Sequence, residues 1–225
     1  MTIPPLALRE LVARWRADGC HVQPGMAWPR QRWIDAFPSC APTLRSLPDA
    51  IDRSALRGAC ADAKRDTSSA MSAFVAVMAW GYGSVGYGPY RTTRVLSGTP
   101  DAGKRLLAVT RTLADEGALA AYRRLASPRD CRLLGLGPAF GTKYLYFCQP
   151  PDQEVTALIH DALVSTWLLR EAGLTLSSAV WSVSTYRHYL ELMHKWAAEL
   201  ACRPDELEYG IFAAMAADRG SQWAP

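Results

Sequence analysis

Two residues of the sequence, Lys143 and Asp161, carry side chains that together can break a bond to a carbon atom. An unprotonated lysine amine can attack an electrophilic carbon and form a covalent Schiff base. A nearby carboxylate stabilises the positive charge that develops at such a carbon in the transition state. The residues are 18 positions apart, so a turn and two helices must bring them together.

Each of the two residues also has a simpler interpretation. Asp161 precedes the apolar run ALVSTWLL and is a good N-cap for a helix whatever the function. Lys143 taken alone is suited to contact a phosphate. Apolar surroundings favour an unprotonated amine, and the neighbouring Phe140, Tyr144 and Phe147 predict such surroundings. The carboxylate of Asp161 is expected to stay ionised, because a helix dipole favours an anion at its N-terminus.

A glycine-rich turn precedes the lysine. Residues 131–134 are predicted to end a helix, and Gly135-Leu136-Gly137-Pro138 then leads into a second short helix that carries Lys143. Glycines allow tight backbone conformations and a close approach of another backbone. The free amides of such a turn, together with the N-terminus of the next helix, suit a phosphate.

The segment GLGPAFGTK, followed after a gap by HD before a helix, resembles the helix-hairpin-helix DNA glycosylases. It is most similar to the lysine-dependent branch, the 8-oxoguanine DNA glycosylases and their small bacterial relatives. The branch also extends to glycosylases that attack bulky modified cytosines in phage DNA. The resemblance implies that Lys143 is the nucleophile and Asp161 the assisting carboxylate. It also implies that the backbone of Gly135, Leu136 and Gly137 holds one DNA strand, with a monovalent cation as a possible bridge to the phosphate.

The lysine departs from the hairpin spacing that is usual in this family. The usual hairpin places the lysine two residues after a Gly-x-Gly, whereas Lys143 lies six residues after Gly137. Two explanations stay open. Either the hairpin is longer, or Phe140-Gly141-Thr142-Lys143 is itself the matching turn. The resemblance is carried by about 40 residues, 131–170, and is looser outside them.

Residues 80–91, WGYGSVGYGPYR, form a second informative stretch with four glycines and four aromatic residues. A glycine-rich linker would explain the glycines but not the aromatic rings. Aromatic rings suit a loop that receives an extruded base, and the glycines would leave room for a bulky one. The small bacterial glycosylases have, by the resemblance, a similar segment. The residues expected at the base pocket are Trp80, Tyr82, Tyr87, Tyr90, Phe140 and His160, and those expected to contact phosphates are Arg91 and Arg94.

Composition sets the limits of these predictions. A chain of 225 residues that is 49% hydrophobic can bury a core, and its net charge of +4 permits a nucleic-acid partner. The six cysteines form no CxxC pair, and only Cys202 lies near the C-terminus, so neither zinc nor an iron–sulfur cluster is expected. The N-terminus has no secretory pattern, and no run of 18 apolar residues occurs. We therefore expect a cytoplasmic monomer that does not enter the membrane.

The periodicity of apolar residues predicts an all-α fold. We expect one domain over residues 1–225, with two helical subdomains around the active site and the helix-hairpin-helix unit at about 128–148. Residues 20–50 are predicted to form loops and short helices, and the basic residues of 49–65, among them Arg53 and Arg57, a solvated helix face. The longer helices are predicted at 5–18, 49–65, 69–80, 101–126, 161–171, within 175–200, and at 205–217.

Three functions are compatible with these features. The first is a DNA glycosylase that acts on double-stranded DNA with modified bases and leaves an abasic site; whether lyase activity accompanies base release stays open. Within it, a hypermodified cytosine of phage DNA is favoured slightly over 8-oxoguanine. The second is a non-enzymatic helix-hairpin-helix protein that only grips DNA. The pair Lys143 and Asp161 favours the enzyme, because a grip requires neither. The third, a helical protein of RNA or nucleotide metabolism, has no support at a specific spacing.

Overall fold

The computed structural model describes residues 3–150 and 156–218 and confirms the all-α fold. Its only sheet within these residues is one antiparallel pair, β1 (Met26–Ala27) and β2 (Ala50–Ile51). The helices are α1 (Leu6–Ala17), α2 (Arg30–Ala36), α3 (Ala41–Ser46), α4 (Arg53–Cys60), α5 (Thr67–Tyr82), α6 (Gly88–Ser97), α7 (Ala102–Glu116), α8 (Ala118–Ala126), α9 (Pro138–Cys148), α10 (Ala162–Ala172), α11 (Val183–Glu199) and α12 (Pro204–Asp218), with a short 3-10 helix at Pro38–Cys40.

The helix at the centre of the fold is α5. The carboxylate of Asp66 caps it by accepting from the amide of Ser69 at 2.7 Å. The residues from Ala73 to Trp80 are all buried, which is typical of a helix that is covered on every side. It packs against α4, α7 and α9, so it supports the helix that carries Lys143.

A second group of helices forms around α12, which packs against α1, α10 and α11. Helix α9 belongs to the group around α5, and Asp161 lies just before α10 of the other group. The pair predicted from the sequence is therefore contributed by both groups of helices, at the place where they meet.

Several predicted boundaries are wrong. The segment 101–126 is two helices, because Gly117 takes a positive φ of 86° that an α-helix cannot contain. Residues 131–134 are not helical, since the helix before the hairpin ends at Ala126. By contrast, the long helix within 175–200 begins at Val183, next to the predicted start at Ser184, and the side chain of Ser182 caps it. The errors concern local boundaries, and the order of the long helices is as predicted.

Among the described residues, no helix combines the length and the apolar character that a membrane span needs.

Candidate active site

Lys143 lies in the second turn of α9, six residues after the N-cap Gly137. Residues 140–143 are helical, so Phe140-Gly141-Thr142-Lys143 is not a turn and the longer hairpin is the correct explanation of the spacing. Gly141 faces the ring of Trp181, which a Cβ atom would strike. The glycine thus serves close packing of the helix that holds the lysine.

Asp161 is held by the extended segment that precedes it. Two tyrosines of α11 bind this segment. The hydroxyl of Tyr189 donates to the carbonyl of Ile159 at 2.7 Å, and that of Tyr186 donates to the carbonyl of Leu158 at 2.9 Å. The Oδ1 atom of Asp161 accepts from the amides of Leu163 and Val164, at 3.1 and 3.3 Å. Asp161 is therefore the N-cap of α10, as its place in the sequence suggested.

The other carboxylate oxygen of Asp161, Oδ2, lies 3.1 Å from Nζ of Lys143. Both residues are 9% exposed. Burial alone would raise the pKa of Asp161, but the Lys143 ammonium and the two helix amides outweigh burial and hold that pKa below its ordinary value. The site thus keeps a carboxylate charged next to an amine in a largely desolvated place.

A cavity of about 150 Å³ opens beside this pair. By the measure in which one water needs about 10–15 Å³, it has room for an organic group of several heavy atoms. The pair is part of its lining, and the other lining residues come from five parts of the chain. The lining residues are Gln23, Arg53, Trp80, Gly81, Lys143, Ile159, Asp161, Leu163, Glu208 and Phe212.

Three polar residues of this lining were not predicted as site residues. Arg53, expected on a solvated face, is instead largely buried, with its side chain 15% exposed, and forms an ion pair with Glu208, with NH1 of the guanidinium 2.8 Å from Oε2. Nε of Arg53 donates to Oε1 of Gln23 at 2.8 Å. Burial raises the pKa of Glu208, and the Arg53 guanidinium opposes this. A signal was present for Glu208, because it is a lone acid in the otherwise apolar run LEYGIF.

Of the six residues predicted for the base pocket, Trp80 lines the cavity. Phe140 and Tyr82 lie behind that wall, stacked on each other at 4.7 Å between ring centroids. Gly81 touches Phe140 so closely that a Cβ would come within 2.5 Å of its ring. A Cβ on Gly88 would likewise come within 3 Å of Trp33 and Tyr82. These two glycines therefore accommodate aromatic side chains of the protein and do not leave open space for a base.

The outer part of the aromatic stretch lies on the surface. Tyr87 and Tyr90 are 58% and 63% exposed, and neither lines the cavity. Arg91 and Arg94 are exposed on α6 in the same region, and the guanidinium of Arg94 lies 5.9 Å from the centre of the Tyr90 ring. This face has the positive charge and the exposed rings that contact with nucleic acid requires, and its contact with DNA stays a prediction.

His160 does not line the cavity, which corrects its assignment to the base pocket. Its ring stacks on Tyr189 with 4.4 Å between centroids, and its Nε2 atom is within hydrogen-bond distance of the carbonyl of Leu176 and the hydroxyl of Ser165. Its amide donates to the hydroxyl of Thr142, which ties the segment before Asp161 to α9. Burial lowers the pKa of His160 to about 4. The residue is a neutral structural histidine that holds the pair in register.

The hairpin turn has the predicted conformation at its first glycine, where Gly135 takes a φ of 81°. A Cβ on Gly137 would meet no described atom within 4 Å, so the backbone there is open to a ligand. The carbonyl of Leu136 accepts from the indole of Trp181, and that of Gly137 accepts from the amide of Gly141. A bound cation would have to share these oxygens, so the hairpin is not a ready set of free carbonyl ligands.

A larger cavity of about 540 Å³ adjoins the first. Gln23 and Arg53 line both, so these two side chains form part of the partition between them. Its lining combines charged side chains, among them Asp52, Arg57 and Asp205, with apolar and aromatic residues such as Trp15 and Tyr209.

Comparison with known proteins gives one match. Residues 20–212 match the family model described as "OGG: Putative 8-oxoguanine DNA glycosylase OGG-like protein". No curated protein and no solved structure gives a match. The matched span contains the hairpin, Lys143, Asp161 and all the residues that line the first cavity. The chain belongs to the OGG-like family of DNA glycosylases.

Proposed function

We propose that the protein is a DNA glycosylase that extrudes a modified base from the duplex and excises it, leaving an abasic site. The observation that carries the proposal is the contact between Nζ of Lys143 and Oδ2 of Asp161, at 3.1 Å, in the lining of a cavity. A protein that only gripped DNA would gain nothing from an amine and a carboxylate placed in such a cavity.

The proposed reaction uses the lysine as the nucleophile. The Lys143 ammonium first gives a proton to water. The neutral amine then attacks C1′ of the extruded nucleotide, and a bond forms between Nζ and C1′ as the bond from C1′ to the base nitrogen breaks. The electron pair of the broken bond leaves with the base. The proton that Nζ loses on bonding balances the proton that the departing base takes up. The sugar ring then opens to the Schiff base, which can end in hydrolysis or in strand cleavage.

The carboxylate of Asp161 supports this step electrostatically. Because its pKa is held below the ordinary value, it is charged at neutral pH and lies where positive charge develops on the sugar. Asp161 is fixed by the helix amides through Oδ1, so little reorganisation is needed when the nucleotide enters. The incoming sugar has to separate the pair, which frees the amine from its ion-pair partner.

The identity of the base divides the proposal into two substrates. The family description names 8-oxoguanine, which fits a role in base excision repair. A hypermodified cytosine of phage DNA, such as glucosylated hydroxymethylcytosine, would serve antiviral defence. The sequence had suggested that glycines leave room for a bulky base, but the space beside Gly81 and Gly88 is occupied by aromatic rings of the protein. The adjoining cavity of about 540 Å³ supplies a different space, because the charged side chains in its lining, among them Asp52, Arg57 and Asp205, can hydrogen-bond a sugar substituent. We keep the modified cytosine as the first substrate to be tested.

A side-by-side assay tests the function and the base together. Purified protein is incubated with a duplex that contains 8-oxoguanine and with phage DNA that contains glucosylated hydroxymethylcytosine, and abasic sites are counted. Sites in the phage DNA support the proposed substrate, and sites in the 8-oxoguanine duplex alone would assign the protein to repair. Binding without abasic sites in either DNA would leave the non-enzymatic helix-hairpin-helix protein as the better description.

A further inference from the structure

The side chain of Gln23 is a buried polar group on the wall of the catalytic cavity. It lies in the segment just before β1 and is 5% exposed. Its Oε1 accepts from Nε of Arg53 at 2.8 Å. Because a guanidinium can only donate, the atom that faces it must be the oxygen. The orientation of the carboxamide is therefore determined, and Nε2 with its two N–H groups points elsewhere.

The Nε2 atom of Gln23 is buried and has no hydrogen-bond partner among the described residues. A buried donor without a partner destabilises a fold, and such groups are few in native proteins. The charged groups of the cavity all have partners, since Lys143 forms an ion pair with Asp161 and Arg53 forms one with Glu208. An unpaired donor that persists beside the reacting pair indicates that the partner is a molecule which enters the cavity.

We propose that Gln23 determines which base is accepted, by donating a hydrogen bond from Nε2 to an acceptor on the extruded base. The inference rests on the proposed function, because it requires a base in the cavity. The acceptor is a carbonyl oxygen or an unprotonated ring nitrogen. A base that presents an amino group or a protonated ring nitrogen to Nε2 would leave the donor buried and unpaired, and is rejected for that reason.

Arg53 and Glu208 act on the base through Gln23 and are positioning residues. The guanidinium of Arg53 is held by Glu208 through two contacts, at 2.8 and 3.3 Å. With Arg53 held in this way, the oxygen of Gln23 is fixed by its bond to Nε, and the nitrogen cannot exchange places with it. The three residues thus present a donor in one orientation, which a free glutamine on a loop would not do.

Two substitutions of Gln23 separate this role from structural support. Gln23→Glu keeps an oxygen for Arg53 but removes both N–H donors, and Gln23→Met removes all polar atoms at nearly the same length. Gln149→Met is the matched control. Gln149 is also a buried carboxamide, but it lines neither cavity, and it hydrogen-bonds to the backbone of Tyr146, Thr156 and Ala157.

The experiment compares two reactions of each variant. The first is the single-turnover rate of base release from the 8-oxoguanine duplex and from the glucosylated phage DNA, using whichever the wild type cleaves. The second is borohydride trapping on a duplex with a preformed abasic site, which needs Lys143 but no base. We expect both Gln23 variants to release base roughly 10- to 100-fold more slowly. Their trapping yield should stay within about twofold of the wild type. Gln149→Met should change neither the rate of base release nor the trapping yield.

The outcomes distinguish this inference from the function beneath it. If the wild type releases base and the Gln23 variants release it equally fast, Gln23 does not read the base. If base release and trapping fall together, the residue only supports the fold, and the inference is again wrong. A wild-type protein that forms no trapped adduct and no abasic sites would instead contradict the proposed function itself.

Discussion

The carboxylate of Asp161 contacts two different partners, with Oδ2 at 3.1 Å from Nζ of Lys143 and Oδ1 accepting from the first amides of α10. The sequence had suggested a helix cap and a catalytic group as alternative interpretations of this residue. In the structure they are compatible, because each uses a different oxygen. The cap fixes the carboxylate and the remaining oxygen is presented to the lysine.

Substitution of the lysine tests the nucleophile. We expect Lys143→Gln to form no borohydride-trapped adduct with DNA, because an amide nitrogen cannot make a Schiff base. Lys104→Gln is the control, since Lys104 is an exposed lysine on α7 that pairs only with Asp101 at the surface. Adduct yield is measured on denaturing gels with an abasic duplex. An adduct of normal yield in Lys143→Gln would remove Lys143 from the mechanism.

Substitution of the carboxylate separates catalysis from capping. Asp161→Asn should keep the cap, because asparagine caps helices about as well as aspartate. It removes the charge that stabilises the cationic sugar, and we expect base release to fall roughly 100- to 1,000-fold. DNA affinity should change little. Asp66→Asn is the matched control, because Asp66 caps α5 in the same way at an exposed position. Equal base release by both variants would reduce Asp161 to a structural cap.

The two hairpin glycines should respond differently to alanine. Gly135 has a φ of 81°, so Gly135→Ala should lower the free energy of unfolding by about 1 kcal/mol. Gly137 has an ordinary φ of −92° and open space around its missing Cβ, so Gly137→Ala should lose only the advantage of glycine over alanine at an N-cap, about 0.5 kcal/mol. Urea unfolding measures both.

If DNA approaches the hairpin as we propose, the same open space at Gly137 is where a phosphate lies. Gly137→Ala should then weaken binding to duplex DNA although the fold is intact. Fluorescence anisotropy with a labelled duplex measures this. Wild-type affinity in Gly137→Ala would place the DNA elsewhere on the surface.

The exposed arginines of α6 should contribute to the salt dependence of binding. Each phosphate contact that is lost lowers the slope of log affinity against log salt by about 1. We expect this change for Arg91→Ala and for Arg94→Ala, with affinity reduced for every duplex tested regardless of its sequence. Arg14→Ala, on the exposed face of α1, is the comparison and should leave the slope unchanged. Unaltered slopes for both α6 variants would exclude them as phosphate contacts.

The buried histidine should make stability depend on mild acid. His160 has a pKa of about 4 in the folded chain against 6.5 when exposed, because burial disfavours its charged form. Between these values the unfolded chain binds more protons, so stability falls as the pH is lowered from 6.5 towards 4, by about 3 kcal/mol in all. Urea unfolding of wild type and His160→Gln at pH 7 and pH 5 should show a smaller difference for the variant. Trapping at pH 7 should persist in His160→Gln, since the ring lies outside the cavity.

Much of the fold could be predicted because its determinants are local. The apolar residues of α1 and of α10, and the carboxylate of Asp161 that caps α10, lie within a few positions of one another in the chain. The break at Gly117 was missed because the apolar pattern continues through it. Whether that glycine takes a positive φ is determined by how α7 and α8 pack against each other.

The chemistry of the site was also visible in the sequence, because a lysine after a glycine-rich turn and an aspartate before a helix are each local patterns. Only the tertiary structure decided what surrounds them. Arg53 and Glu208 are 155 residues apart, and no local pattern connects a residue of α4 with one of α12. The same holds for Gly81, whose open side is occupied by Phe140. Local interactions determine helices and caps, whereas burial and the pairing of charges depend on which distant segments pack together.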